Sequence, residues 1–176
     1  MADYATRTVL ALFPQHSIEG LEDFRQSYIN NPGKSIPIHL TIFYNFLLPH
    51  QLDQHVVQKL QTIAAATKSF TFQARPLASF PTSKVLYLSP VPVTPIEEIT
   101  QRLYKAFPSL APSYGFPVFH MTIALDNPQD KTPWIIDDYF STFGSDPLPM
   151  TAHHLGLFAQ YHRKWKQVRT FPLGTA

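Results

Sequence analysis

Two short stretches decide how this chain is read: Ile36-Pro37-Ile38-His39-Leu40-Thr41-Ile42-Phe43 and Phe116-Pro117-Val118-Phe119-His120-Met121-Thr122-Ile123. Each is rich in β-formers and carries His-x-Thr followed by an apolar residue. Alternation in a strand puts residues two apart on one face. His39 therefore pairs with Thr41, and His120 with Thr122, while Leu40, Ile42, Met121 and Ile123 face a core. One imidazole and one hydroxyl per strand occupy a face where packing alone would select apolar groups.

The flanking sequence repeats around these stretches. VLAL at 9–12 precedes HLTI by 30 residues, and VLYL at 85–88 precedes HMTI by 35. Each half predicts strand, helix, motif strand, helix. The first helix carries Leu21, Phe24 and Tyr28 after a candidate cap at Ser17, and Asn30-Asn31-Pro32-Gly33 supplies its stop. Leu52, Val56, Leu60 and Ile63 mark the second. FTFQARPLASF, residues 70–80, contains Pro76 and predicts an edge or bulged strand. Thr94, Pro95 and Glu97 predict a capped helix start, with Ile96, Ile99, Leu103 and Phe107 on its inner face. A brief helix is expected from Thr132 to Phe140. The tail predicts two strands joined at His162, Arg163 and Lys164. The expected fold class is α+β, with two pseudo-symmetric lobes, each an antiparallel sheet with helices, flanking a central cleft. No compositional linker separates the halves, so residues 1–176 are expected to form a single domain.

Composition narrows the chemistry. The 176 residues include no Cys, which excludes disulfides, thiolate catalysis and Cys-ligated metal. The net charge of +2 is low for a binder of long nucleic-acid tracks. No run approaches 18 apolar residues and the N-terminus lacks a signal-peptide layout, so a soluble, cytoplasmic chain is expected. With 17 Pro against 6 Gly, loops should be stiff.

Two imidazoles suit paired proton transfer, and two threonine hydroxyls suit the oxygens of a phosphoryl group held between them. That combination points to metal-independent cleavage of a phosphodiester. Metal binding is the rival, but His39 and His120 supply only two ligands. His153 and His154 are adjacent, and strict alternation would send them to opposite faces. Phe43 shares parity with His39 and Thr41 and is a candidate wall for a base to stack on; Tyr44 would face away unless a bulge intervenes. Lys84 and Arg75, near strand ends, are further candidate phosphate contacts. The cluster of His162, Arg163, Lys164 and Lys166 reads as a solvated turn, with RNA phosphate as the alternative. His16, His50 and His55 read as surface residues.

HLTI and HMTI resemble the two His-x-Thr/Ser-x motifs of the 2H phosphoesterase superfamily, with closer similarity to its 2′-5′ RNA ligase-like and cyclic nucleotide phosphodiesterase branch. The resemblance runs from TRTVLALFP, at the first strand, to LGLFAQY and VRTFPL. It implies two α+β lobes around a cleft lined by both histidines and both threonines. It implies as substrate a small nucleotide or RNA terminus bearing a 2′,3′-cyclic phosphate, or a related 2′-5′ phosphodiester. It implies no cofactor and no metal; no obligate protein partner is inferred, and a monomer is expected. One histidine activates water, the other protonates the departing ribose oxygen, and Thr41 and Thr122 hold the nonbridging oxygens. The working assignment is His120 as base and His39 as acid. Alternatives are an ATP-independent RNA 2′-5′ ligase and a non-catalytic nucleotide- or RNA-binding protein on the same fold. Many RNA-processing relatives carry a basic residue after the second motif. Here Asp126 stands there, which favours a small substrate over extended RNA.

Overall fold

The computed structural model describes residues 5–15, 17–30, 36–80 and 82–175. His16 and the stop signals Asn31-Pro32-Gly33 lie outside them. The order is β1 (Arg7–Gln15), α1 (Leu21–Tyr28), β2 (Leu40–Tyr44), α2 (Gln54–Ala65), β3 (Phe70–Ser79), β4 (Val85–Val91), α3 (Thr94–Ala106), β5 (Met121–Leu125), α4 (Thr132–Phe143), β6 (Leu148–Tyr161) and β7 (Lys164–Pro172).

All strand pairs are antiparallel, in the order β2-β1-β6-β3-β4-β5 with β7 also on β6. The long β6 joins the halves. Its N-terminal end pairs with β3, its C-terminal end with β7, and β1 runs along its other side. The two motif strands sit at opposite ends of the order, each beside the first strand of its own half. This α+β arrangement matches the two-lobed expectation, with the lobes sharing a continuous sheet.

One face of the sheet carries the main core. Leu10, Leu12, Leu40, Leu88, Met121 and Leu157 are fully buried there against Leu21, Leu60, Ile99 and Leu103 of the helices. Each such side chain contributes about 1.5–3 kcal/mol of burial. The opposite face carries a smaller cluster of Val9, Ala11, Phe13, Ile36, Phe158 and Trp165. Val9, Ile36 and Trp165 of this cluster reach the cleft, while Phe13 and Phe158 border a separate depression beside it.

Local signals explain most boundaries. The Asp53 carboxylate accepts from the Val56 amide at 2.8 Å and caps α2. Two expected caps are replaced. Gly20, in a left-handed conformation at φ 75°, precedes α1 in place of Ser17. Thr94 is already inside α3, and Val93 takes the cap position without a side-chain bond. Pro76 lies in a register shift between Arg75 and Ala78, so β3 is bulged and paired on both sides rather than an edge. His162 and Arg163, at φ 43° and 65°, make the tight β6–β7 turn.

Candidate active site

Each motif histidine sits immediately before its strand, and the two are held alike. His39 Nδ1 lies 2.7 Å from the Pro37 carbonyl and His120 Nδ1 lies 2.7 Å from the Val118 carbonyl. A carbonyl can only accept, so Nδ1 carries a proton in both rings, and each Nε2 is left to take a proton or, in an imidazolium, to give one. Thr41 and Thr122 follow two residues on, half-buried.

Matching bulges then reset the alternation. On β2, Thr41 stands opposite Ala11 but Phe43 stands opposite Leu10, so Ile42 is the extra residue. On β5, Thr122 stands opposite Tyr87 but Ala124 stands opposite Leu86, and Ile123 is extra. Each bulge sends two successive residues, Ile42-Phe43 and Ile123-Ala124, into the core. Phe43 is therefore not a cleft wall. It is 3% exposed and packs on Phe46 and Tyr104 at ring separations of 5.4 and 5.1 Å. Tyr44 and Leu125 turn to the cleft instead. Both strands end in a left-handed residue six after the histidine, Asn45 at φ 66° and Asp126 at φ 59°. Asn and Asp tolerate this conformation better than other non-glycine residues. Asp126 is exposed and lies beyond the cleft lining.

The cleft has a volume of about 690 Å³ and brings together His39, Thr41 and Thr122 with Arg7, Arg25, Tyr44, Arg163 and Trp165. Among the described residues, no Asp or Glu lines it. His120 stands beside this space with its ring edge-on to Phe80 and Tyr87, at 4.9 and 5.3 Å. It is close enough for its charge to oppose protonation of His39.

His39 is held far from its ordinary proton affinity. Burial lowers its pKa from 6.5 to about 4; the Pro37 carbonyl opposes this, and the charges of Arg25 and His120 add to it. The imidazole is therefore neutral at pH 7. Its ring lies 5.7 Å from that of Phe13, which stacks on His154 at 5.2 Å. Gly156 makes room for Phe13: a Cβ there would come within 2.5 Å of the ring. A further bulge in β6 skips His153, so the alternation expected for His153 and His154 fails. Their rings lie 6.0 Å apart, and His154's pKa is lowered by burial and by His153.

Arg25 is the main residue that sequence reading missed. It is 2% exposed in the middle of α1. Its Nε donates to the Thr122 carbonyl at 3.2 Å, and its Nη1 meets Glu22 Oε1 at 2.8 Å. Glu22 Oε2 in turn accepts from the Ile38 amide at 3.0 Å. One ion pair thus ties the entry of β2 to the middle of β5. Burial lowers the Arg25 pKa, and Glu22 counters that. An arginine one position after Phe24 on an apolar helix face was the available signal.

The remaining candidates fall outside this cleft. Lys84 is exposed and lines a separate depression with Ser83, Asn127 and Gln129. Arg75 is exposed and stands opposite Ser89, on the His120 side of the sheet but not in the cleft lining. Among the described residues, no group of three or more His, Asp or Glu is placed to hold a metal ion.

Paired histidines and threonines from two like half-sheets, beside a cationic cleft, are the architecture of a two-histidine phosphoesterase, an enzyme class. The chain belongs to the 2′-5′ RNA ligase superfamily, whose family model matches residues 13–164. A protein named as a phosphoesterase from Geobacillus sp. (strain WCH70) is 34% identical over 123 residues, 68% of this chain and 69% of the relative. One from Geobacillus kaustophilus (strain HTA426) is 29% identical over 123 residues, with the same shares covered. The fold is that of E. coli LigT, solved with 3′-AMP: TM-score 0.62, 15% identity, 96% of this chain and 98% of that one. TT0787 of Thermus thermophilus shares it at TM-score 0.64 and 14% identity, over 97% and 99% of the chains. Among the described residues, no helix is long and apolar enough to cross a membrane.

Proposed function

We propose that the protein hydrolyses 2′,3′-cyclic phosphates of nucleotides or RNA ends, or related 2′-5′ phosphodiesters, by acid–base catalysis between His39 and His120 without a metal ion. The observation that carries this reading is the matched commitment of both Nδ1 atoms to backbone carbonyls. It leaves two equivalent Nε2 atoms for proton transfer beside two threonine hydroxyls.

The electrostatics favour His39 as base, the reverse of the working assignment. Burial keeps His39 unprotonated at neutral pH. A water proton passes to His39 Nε2 as the water oxygen bonds to phosphorus. The bond from phosphorus to one ribose oxygen breaks, and that oxygen takes the Nε2 proton of His120, which acts in its imidazolium form with Nδ1–H still on the Val118 carbonyl. The products are a ribose hydroxyl and a phosphomonoester. Thr41 and Thr122 donate to the nonbridging oxygens, and Arg25 adds a fixed positive charge to the same cleft. In this reading a single chain acts as one domain of two lobes, with no obligate partner. A cytoplasmic setting suits a nucleotide or RNA-end substrate.

The test is turnover of a panel of 2′,3′-cyclic nucleotides in EDTA, with products read by phosphorus NMR. One regioisomer is expected, with His39→Ala and His120→Ala each losing about 10²–10⁴-fold in kcat while remaining folded. Loss on chelation that a metal restores would overturn the mechanism. Binding without turnover would return the chain to a nucleotide-binding role.

A further inference from the structure

The outer part of the cleft holds more positive charge than one scissile phosphate requires. Arg7 and Arg163 line the cleft at a distance from the motif threonines, beside Gln160 and Tyr44. Arg7 Nη1 donates to the Tyr44 hydroxyl at 2.8 Å, which fixes both groups at the rim. Tyr44 is nonetheless 56% exposed, so its ring stays open to a ligand. It is there only because the β2 bulge reverses its parity. Arg163 is delivered by the left-handed β6–β7 turn, and Arg7 pairs in register with Gln160 just before that turn.

Register gives the spacing. Along the cleft side of β1, Ala11 lies opposite Thr41, Val9 lies opposite Tyr44, and Arg7 follows. The step from Thr41 to Tyr44 and on to Arg7 covers roughly 7–13 Å at ordinary strand rise. One nucleoside bridges such a span between the phosphates at its two ends. Tyr44 and Val9 lie between, and Trp165 stands level with Arg7 across Gln160, together an apolar bed of the kind a base or sugar covers. The volume of about 690 Å³ sits inside the usual range of about 300–1,000 Å³ for small-molecule sites.

We infer that Arg7 and Arg163 form a second anion subsite that takes the 5′-side phosphate of the nucleotide whose 2′,3′-phosphate lies between the motif residues. This rests on the phosphodiesterase reading and deepens it. The substrate class is a nucleoside carrying phosphate at both ends, as at an RNA 3′ terminus, rather than a bare nucleoside cyclic phosphate. The expected low affinity for long RNA is compatible, because the subsite reaches one phosphate inward.

Product analogues test this without turnover. Calorimetry compares adenosine 3′,5′-bisphosphate and adenosine 3′-monophosphate on the parent chain, Arg7→Gln, Arg163→Gln and the double variant. The parent should prefer the bisphosphate by about tenfold or more, the worth of a charge-assisted contact at a partly screened site. The preference should fall to within about twofold of unity in the double variant and largely persist in Arg7→Lys. A dinucleotide with a 3′-terminal phosphate, whose inward phosphate is a diester, should share it; failure of that arm alone restricts the subsite to phosphomonoesters and overturns the RNA-terminus assignment. Equal binding of bisphosphate and monophosphate by the parent overturns the subsite while leaving the phosphodiesterase reading intact. A preference that survives in the double variant overturns the assignment to these arginines. Binding of neither ligand overturns both readings.

Discussion

Arg25 and Thr122 meet through a single hydrogen bond, Nε to carbonyl at 3.2 Å, across 97 residues of sequence. The arginine belongs to the helix of the first lobe and the carbonyl to the motif strand of the second. Through Glu22 the same guanidinium also reaches the Ile38 amide, one residue before His39. The two His-x-Thr motifs thus share one buried support, and its charge acts on His39.

Arg25→Met should therefore do two separable things. Breaking a buried ion pair costs about 3–5 kcal/mol; since the Glu22 side chain is 35% exposed, a loss nearer about 2–4 kcal/mol is expected in denaturant unfolding. Removing the positive charge should also raise the His39 pKa, because Arg25 lowers it. An NMR titration of the imidazole reads that rise, which a purely structural role for Arg25 would not produce. Arg25→Lys should retain the low pKa while losing the Thr122 bond geometry.

The folded chain resists protonation of His39, so stability should depend on pH in a defined window. Above about pH 6.5 the imidazole is neutral in folded and unfolded chains alike. Between 6.5 and about 4 the unfolded chain takes up a proton that the folded chain refuses. Stability conferred above that window is lost as pH falls through it, on the order of 2 kcal/mol after allowance for the half-buried ring. Below pH 4 no further loss comes from this group. The check is the difference in unfolding free energy between the parent and His39→Gln at pH 7 and pH 4. Equal differences at the two pH values would contradict the buried, neutral assignment.

Adjacent aromatic residues on β2 should behave as members of different systems. Phe43→Ala removes a core ring packed on Phe46 and Tyr104 and should cost about 3–5 kcal/mol of stability. Tyr44→Ala removes a half-exposed ring on the cleft rim and should leave stability within about 0.5–1 kcal/mol of the parent while raising KM. Thermal unfolding and steady-state kinetics on the pair separate the two effects. The reverse pattern would mean that alternation runs unbroken through Ile42.

The contrast between Phe43 and Tyr44 also shows what the sequence could and could not disclose. His39, Thr41, His120 and Thr122 were legible because a two-residue spacing holds over one strand step, before any irregularity intervenes. Strand and helix identities were legible from β-branched runs and from spacings such as Leu60 to Ile63. The bulges at Ile42, Ile123 and His153 were not, because a single inserted residue leaves no local composition signal. Each reversed a facing judgement: Phe43 went inward, Tyr44 outward, and His153 and His154 came together. Arg25 was hidden for another reason. Its burial draws on Thr122, 97 residues away, as well as on Glu22, and that distance in sequence makes the burial a property of the fold.

Gly156 offers a test of how the packing behind the site sets its geometry. The residue lies opposite Ala11 in β6, where Phe13 crosses close to the backbone. An added Cβ would stand 2.5 Å from Phe13 Cε2 and 2.9 Å from Cδ2. The ring is 4% exposed and held between His154 and Phe158, so it cannot swing away freely. Gly156→Ala should cost about 1–3 kcal/mol from overpacking. The displaced ring also bears on His39, so kcat/KM should fall alongside stability. Phe13→Leu supplies the control, since a smaller side chain leaves room for the methyl. The double variant should then be more stable than the sum of the single changes allows, with a coupling of about 0.5–3 kcal/mol and part of the lost activity restored. Additive losses would show that Gly156 and Phe13 act on the site independently.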